Sequence, residues 1–216
     1  MSETIKINKL TLDSLGVHDT LDIDRISVGD MMDLREIHGK MEGLLADLKS
    51  GKKDIKSIKN LDYIVYTILH IETIKGICSK LGVTDFNKYH DLDKIAMYCF
   101  LPKKEASAFH RRIMKHHNHN CSDTVIEQLI DWESASKTKP DKPLSAYETL
   151  LAYYKDSKIF DEFVEELKKL GLWEKGNYAR ITEEDFYRMA DDVSDDTIIS
   201  YLELSYSYLS EIFNAN

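Results

Sequence analysis

Apolar side chains recur at three- and four-residue steps along much of the 216-residue sequence, and this spacing strongly constrains the fold. One such stretch contains Met31, Leu34, Ile37, Met41, Leu44 and Leu48. This spacing gives a helix one apolar face that can be buried. The chain also has only nine glycines and three prolines, which disfavours the many turns of a strand-rich fold. The sequence therefore predicts an all-α helical bundle.

The same pattern predicts a series of helices after the first one. Their approximate ranges are 61–81, 87–101, 104–117, 123–139, 144–156, 158–171, 182–192 and 195–213. Residues 5–28 differ, because they contain short alternating stretches such as IKINKLTL and TLDIDRISV. Alternation of this kind predicts a small β-hairpin or an extended arm at the N-terminus.

Composition narrows the classes of function. No apolar run approaches the length of about 18 residues that a membrane-spanning helix needs. MSETIKINKLTLDS does not resemble a secretory signal, so we expect a soluble, cytoplasmic protein. Cys78, Cys99 and Cys121 form no CxxC pair, which disfavours both a disulfide framework and a thiolate zinc site. The net charge of −9 argues against binding to duplex nucleic acid and favours a small phosphorylated ligand or nucleotide as partner.

Histidines are concentrated in one part of the chain. Six of the eight fall between positions 70 and 119, namely His70, His90, His110, His116, His117 and His119. A single histidine is most often a solvated or satisfied core residue. A clustered set, with aspartates nearby, predicts a metal site, since imidazole and carboxylate groups hold first-row divalent metals without thiolates.

The sharpest local motif is HDLDK at positions 90–94. Adjacent residues on a helix diverge by about 100°, so His90 and Asp91 would approach one metal, or two neighbouring metals, from different directions. Lys94 would lie one turn along the helix, close enough to bind a phosphate held at the metals. An ordinary Asp91–Lys94 ion pair on a solvated face remains an alternative at this point.

Four successive predicted helices each contribute a histidine or an aspartate, as expected when a bundle builds a metal site from facing side chains. His70 precedes the HDLDK motif, the group from His110 to His119 follows it, and Asp131 comes last. In this order the sequence resembles the HD-domain superfamily of metal-dependent phosphohydrolases. HDLDK, HHNHN and DWESASKTKPDKPLSAYETLLAYY also look like an uncharacterised bacterial and phage domain family that has an HD-like pattern but no assigned reaction.

The resemblance implies a set of metal ligands and a domain organisation. The implied ligands are His70, His90, Asp91, His116, His117 and Asp131, with His110 and His119 as alternatives among the later histidines. They would hold one or two divalent ions, and Mn, Fe, Co, Ni, Zn and Mg are not distinguished. The HD-like core would cover 53–172, after an arm and helix at 1–52 and before C-terminal helices at 173–216 that pack on the core.

The reaction implied is hydrolysis of a phosphomonoester or phosphodiester by a metal-activated water. Asp91 and Lys94 would be catalytic, and Lys94, Arg111, Arg112 and His119 would contact the substrate. For the two arginines, a solvated helix face is an equal alternative. Two other functions stay open: a binding protein that sequesters a phosphorylated or nucleotide ligand, and an HD-like di-iron oxygenase. Homo-oligomerisation is also left open.

Overall fold

The computed structural model of the chain describes residues 20–174 and 181–213, and these ranges are helical. Their nine α-helices are α1 (Val28–Lys49), α2 (Leu61–Leu81), α3 (Leu92–Phe100), α4 (Lys103–Ile113), α5 (Val125–Thr138), α6 (Ala146–Tyr153), α7 (Phe160–Lys169), α8 (Glu183–Asp191) and α9 (Asp195–Phe213). Single 3₁₀ turns occur at Ile55–Ser57, Lys115–His117 and Ser122–Thr124. The all-α prediction is confirmed for the described part of the chain.

The predicted N-terminal hairpin or arm falls mainly on residues 5–19, which lie outside the described residues. Immediately after them, Leu21 forms an isolated antiparallel bridge with Met114. No described helix combines the length and the apolar character needed to cross a membrane.

The described residues divide into two compact units that are discontinuous in sequence. The first unit takes its residues from Met1–Ile64, Tyr89–Lys115 and Asp195–Asn216. The second takes its residues from Val65–Lys88 and His116–Ser194. The domain boundaries at 52 and 172 remain a prediction from the sequence.

In the first unit, α9 packs against α1 and α3, and α3 also packs against α4. Met41, Ile95 and Met97 are fully buried in its core. The start of α1 is fixed by a capping box, in which the side chain of Ser27 accepts from the backbone N–H of Asp30 and the side chain of Asp30 accepts from that of Ser27. This cap fixes the start of the helix at Val28.

In the second unit, α5 packs against α6 and α7 through a core that includes Leu129, Trp132, Phe163 and Leu167. A second apolar cluster joins α2 to α5 through Ile74, Ile77, Cys78 and Ile130. Gly82 ends α2 with a φ of 69°, the left-handed conformation that a residue without Cβ adopts at little cost. The helix end predicted at this glycine is confirmed.

Two predicted helix boundaries near the histidines are wrong. The helix predicted from 87 begins only at Leu92, and the helix predicted to reach 117 ends at Ile113. After Ile113 the chain extends to pair with the segment at Leu21, where the backbone N–H of Asp22 donates to the carbonyl of Ile113. This backbone pairing replaces the continuation of α4.

Candidate metal centre

His90 and Asp91 lie in a turn before α3, so the prediction that both are helical is wrong. Asp91 has φ 61° and ψ 4°, a left-handed conformation that aspartate tolerates better than most residues. Its carbonyl accepts from the backbone N–H groups of Lys94 and Ile95, which starts α3. Its carboxylate makes no capping hydrogen bond to the helix. The side chain is therefore available for other contacts.

The buried carboxylate of Asp91 contacts three nitrogen-bearing side chains of the first unit. Oδ1 lies 3.0 Å from Nε2 of His110 and 3.8 Å from Nε2 of His90. Oδ2 accepts a hydrogen bond of 2.9 Å from Nζ of Lys94. Burial opposes ionisation, but the charge of Lys94, joined by His110 and His90, outweighs burial and holds the pKa of Asp91 well below its usual range. The group is a carboxylate at neutral pH.

Lys94 thus forms the i,i+3 ion pair that the sequence left open as the alternative to phosphate binding. Its side chain is 15% exposed, so the pair is largely shielded from water rather than on a solvated face. A phosphate contact by Lys94 remains a prediction.

His110 is held from its other side by Asp93, a residue that the sequence analysis did not select. Nδ1 of His110 and Oδ2 of Asp93 are 2.8 Å apart, and both side chains are buried. Burial and the charge of Lys94 lower the pKa of His110. The negative charges of Asp93 and Asp91 raise it and have the larger combined effect, so the pKa is raised above its usual value. The second aspartate of HDLDK was the only sequence signal for Asp93.

In the second unit, His70 and Asp131 form a direct pair. Nε2 of His70 lies 2.8 Å from Oδ1 of Asp131, and Nδ1 lies 2.9 Å from Oγ of Ser134. The hydroxyl of Ser134 also donates to the backbone carbonyl of Asp131, so its oxygen accepts from Nδ1–H of His70. Ser134, His70 and Asp131 are the residue types of a nucleophilic Ser-His-Asp triad. Ser134 is fully buried, however, so it is not placed to attack a substrate.

His116 and His117 lie on the 3₁₀ turn after α4 rather than on a helix, with ring centroids 4.3 Å apart. Nδ1 of His116 is 3.3 Å from Oε1 of Glu127, which also accepts a hydrogen bond from Asn87. Glu127 was not selected from the sequence. Its position four residues before Asp131 on α5 places both carboxylates on one helix face, and this spacing was the signal that could have identified it.

His119 belongs to an aromatic group of the second unit. Its Nδ1 lies 2.7 Å from Oε1 of Gln128, and its ring lies 4.2 Å from that of Tyr154. Tyr154 in turn stacks on Trp132, with centroids 4.7 Å apart. The structure therefore places His119 in an aromatic stack, and its substrate contact remains a prediction.

The two predicted substrate arginines differ in their surroundings. Arg112 donates to Oδ1 of Asp30 at 3.0 Å through Nε, and it lines an open groove of the first unit that also contains Asp33, Glu36 and Glu105. Acidic neighbours do not favour a phosphate at that point. The side chain of Arg111 is exposed. Phosphate binding by either arginine remains a prediction.

The donor atoms gathered in each unit are imidazole nitrogens and carboxylate oxygens. His90, Asp91 and His110 lie together in the first unit. In the second, ligand atoms lie within 4.8 Å of one another in the pairs His70–Asp131, His116–His117 and His116–Glu127. Cysteine takes no part, and burial raises the pKa of Cys99 to about 12, so that residue is a thiol. The chain thus has buried His/carboxylate groups of the kind that bind divalent metals.

No protein-family model matches the chain, and neither the curated proteins nor the solved structures include a match. The likeness to the HD-domain superfamily therefore rests on the order of histidines and aspartates in this chain.

Proposed function

We propose that the protein is a metal-dependent phosphohydrolase that cleaves a phosphomonoester or phosphodiester of a nucleotide or another small molecule. One observation carries the proposal: the ionised, buried carboxylate of Asp91 is shared by two histidines and a lysine. Burying a carboxylate is costly unless a cation or hydrogen bonds compensate it. A buried carboxylate whose charge is compensated by neighbouring cationic side chains is a candidate functional group.

The spacing of the donor atoms fits a bound cation. Two ligands at right angles, each about 2.1 Å from a metal, lie about 3 Å apart. Nε2 of His110 and Oδ1 of Asp91 are 3.0 Å apart, and Nε2 of His70 and Oδ1 of Asp131 are 2.8 Å apart. The same distances suit a protonated imidazole, so they accommodate either a proton or a metal. We assign as ligands His90 and Asp91 of the first unit and His70, His116, His117 and Asp131 of the second.

When bound, a divalent ion supplies Lewis-acid chemistry that lowers the pKa of a water molecule and offsets charge on phosphoryl oxygens. Asp91 needs no deprotonation at neutral pH, because its pKa is already low. The ammonium group of Lys94 donates a hydrogen bond to Asp91 beside the proposed ligands, and we propose that it also contacts a phosphoryl oxygen of the substrate. Its low exposure strengthens such a contact, since charges interact more strongly away from water.

The test combines metal analysis with turnover. The metal content of the purified protein is measured, and divalent ions are then titrated into chelator-treated protein. Phosphate release is followed with p-nitrophenyl phosphate, bis-p-nitrophenyl phosphate and nucleoside mono-, di- and triphosphates. Asp91→Asn is the informative variant, because asparagine is similar in size and tolerates the left-handed turn. Asp22→Asn is the control, because Asp22 is also a buried carboxylate of the first unit and pairs with Arg25.

We expect the wild type and Asp22→Asn to bind divalent metal and release phosphate, and Asp91→Asn to lose about 100-fold or more in kcat. A wild-type protein that binds no divalent ion overturns the proposal, as does an Asp91→Asn variant with unchanged turnover. Tight nucleotide binding without product favours a sequestering protein instead. Oxygen consumption that depends on iron favours the oxygenase.

A further inference from the structure

The two ring nitrogens of His110 face two different carboxylates of the first unit. Nδ1 forms a hydrogen bond of 2.8 Å with Asp93, and Nε2 lies 3.0 Å from Asp91. His110 is fully buried and Asp93 is 1% exposed, so both side chains are shielded from water. The ring of His110 is therefore held between these two carboxylates.

The two carboxylates have different surroundings. Asp91 also contacts His90 and Lys94, and it belongs to the proposed ligand set. Asp93 lies in the first turn of α3 and is not part of the His/His-Asp/His/Asp order that suggested the site. Histidines that bind metals commonly donate their second N–H to a carboxylate, which fixes the tautomer and the direction of the ring. The Asp93–His110 contact has this arrangement.

We propose that Asp93 is a positioning residue that holds the proton of His110 on Nδ1 and thereby presents Nε2 as a metal-binding atom beside Asp91. This inference rests on the proposed function, since it requires a bound divalent ion. It adds His110 to the ligands of the first unit. The role of Asp93 is to orient that ligand, without contact to the metal or the substrate.

The first measurement is the affinity of chelator-treated protein for Co²⁺, by calorimetry and by the visible absorption of the bound ion. Asp93→Asn replaces the carboxylate by an amide that can donate to Nδ1 and so favour the wrong tautomer. We expect this variant to bind Co²⁺ about 10- to 100-fold more weakly, with an altered spectrum. Asp22→Asn, the control, should bind as the wild type does. A folded Asp93→Asn variant with wild-type affinity overturns the inference.

A double-mutant cycle tests whether Asp93 acts through His110. The Co²⁺ affinities of Asp93→Asn, His110→Ala and the double variant are compared. If the effect of Asp93 passes through His110, Asp93→Asn should change the affinity by less than about twofold once His110 is alanine. An equal loss in both backgrounds shows that Asp93 acts by another route, and the inference fails.

A third measurement needs no variant, which matters if Asp93→Asn does not fold. Long-range ¹H–¹⁵N spectra of Zn²⁺-loaded protein with ¹⁵N-labelled histidine identify the protonated nitrogen of His110. We expect the proton on Nδ1 and a metal-induced shift at Nε2, and the reverse assignment overturns the inference. A wild type that binds no metal refutes the proposed function itself. A wild type that binds metal, with His110 in the other tautomer, refutes the role of Asp93 alone.

Discussion

The left-handed backbone of Asp91 predicts a reversed order of stability for glycine and alanine at this position. With φ at 61°, the left-handed backbone costs about 1–2 kcal/mol for a residue that has a Cβ, and glycine avoids this cost. Asp91→Ala and Asp91→Gly both remove the carboxylate and its pair with Lys94, so that loss cancels between them. Glycine loses roughly 0.5–1 kcal/mol more conformational entropy on folding. The glycine variant should therefore be more stable than the alanine variant by about 0.5–1 kcal/mol.

Glu36 provides the matched comparison, because it is an exposed residue of α1 whose pair with Lys40 is lost in either variant. In a helix interior, alanine should be more stable than glycine by about 0.8–1 kcal/mol. The free energies of unfolding come from urea titrations in chelator-containing buffer, with midpoints and slopes compared among the four variants. If Asp91→Ala exceeds Asp91→Gly in stability as the Glu36 pair does, the left-handed assignment is refuted.

Three further predictions concern residues outside the candidate metal centre. Phe163 is fully buried and stacks on Trp132, so Phe163→Ala should lower the free energy of unfolding by about 3–5 kcal/mol in urea titrations, with a much smaller loss for Phe163→Leu. The ring of His38 stacks on that of Tyr206. Burial and the charge of Arg35 lower the pKa of His38, and they outweigh the charge of Glu42, which raises it. Folding therefore favours the neutral ring. Its contribution to stability is therefore present above the unfolded pKa of about 6.5 and is lost as the pH falls through that value to below the folded pKa. The urea midpoint of the wild type should thus fall further than that of His38→Gln between about pH 8 and pH 5, and parallel curves would contradict this role. Cys99 is buried with a raised pKa, whereas Cys121 is partly exposed. An aromatic disulfide reagent should therefore modify Cys121 rapidly and Cys99 only when the protein unfolds. Rapid loss of the Cys99 thiol in the Cys121→Ser variant would contradict the burial of Cys99.

Periodicity predicted the helices well where one apolar face decides the structure. The spacing from Leu34 to Leu48 predicted α1, and Gly82 ends α2 as expected. It failed at residues 87–91, where a contact distant in sequence determines the conformation. The hydroxyl of Tyr89 donates to Glu211 on α9, and its ring stacks on Tyr208. No local pattern encodes a partner more than a hundred residues away.

The candidate site was predictable in its chemistry and less so in its pairings. The excess of histidines and the HDLDK motif predicted His90, Asp91 and Lys94 as site residues, and the structure brings the carboxylate of Asp91 into contact with the side chains of the other two. The choice among the later histidines depended on where α4 ends, and that helix stops at Ile113 because the chain pairs with the segment near Leu21. Asp93 and Ser134 orient histidines from other helices, so their roles depend on helix packing that a single sequence does not specify.

The discontinuity of the two units has a consequence for biosynthesis. The described parts of the second unit lie within Val65–Lys88 and His116–Ser194, so they have all been synthesised before α9. The first unit needs α9, which packs on both α1 and α3 and supplies the partners of Tyr89. Domains generally fold as their residues leave the ribosome, N-terminal segments first. Here we expect the second unit to fold before the first, and the HDLDK turn to reach its final conformation only after α9 has emerged.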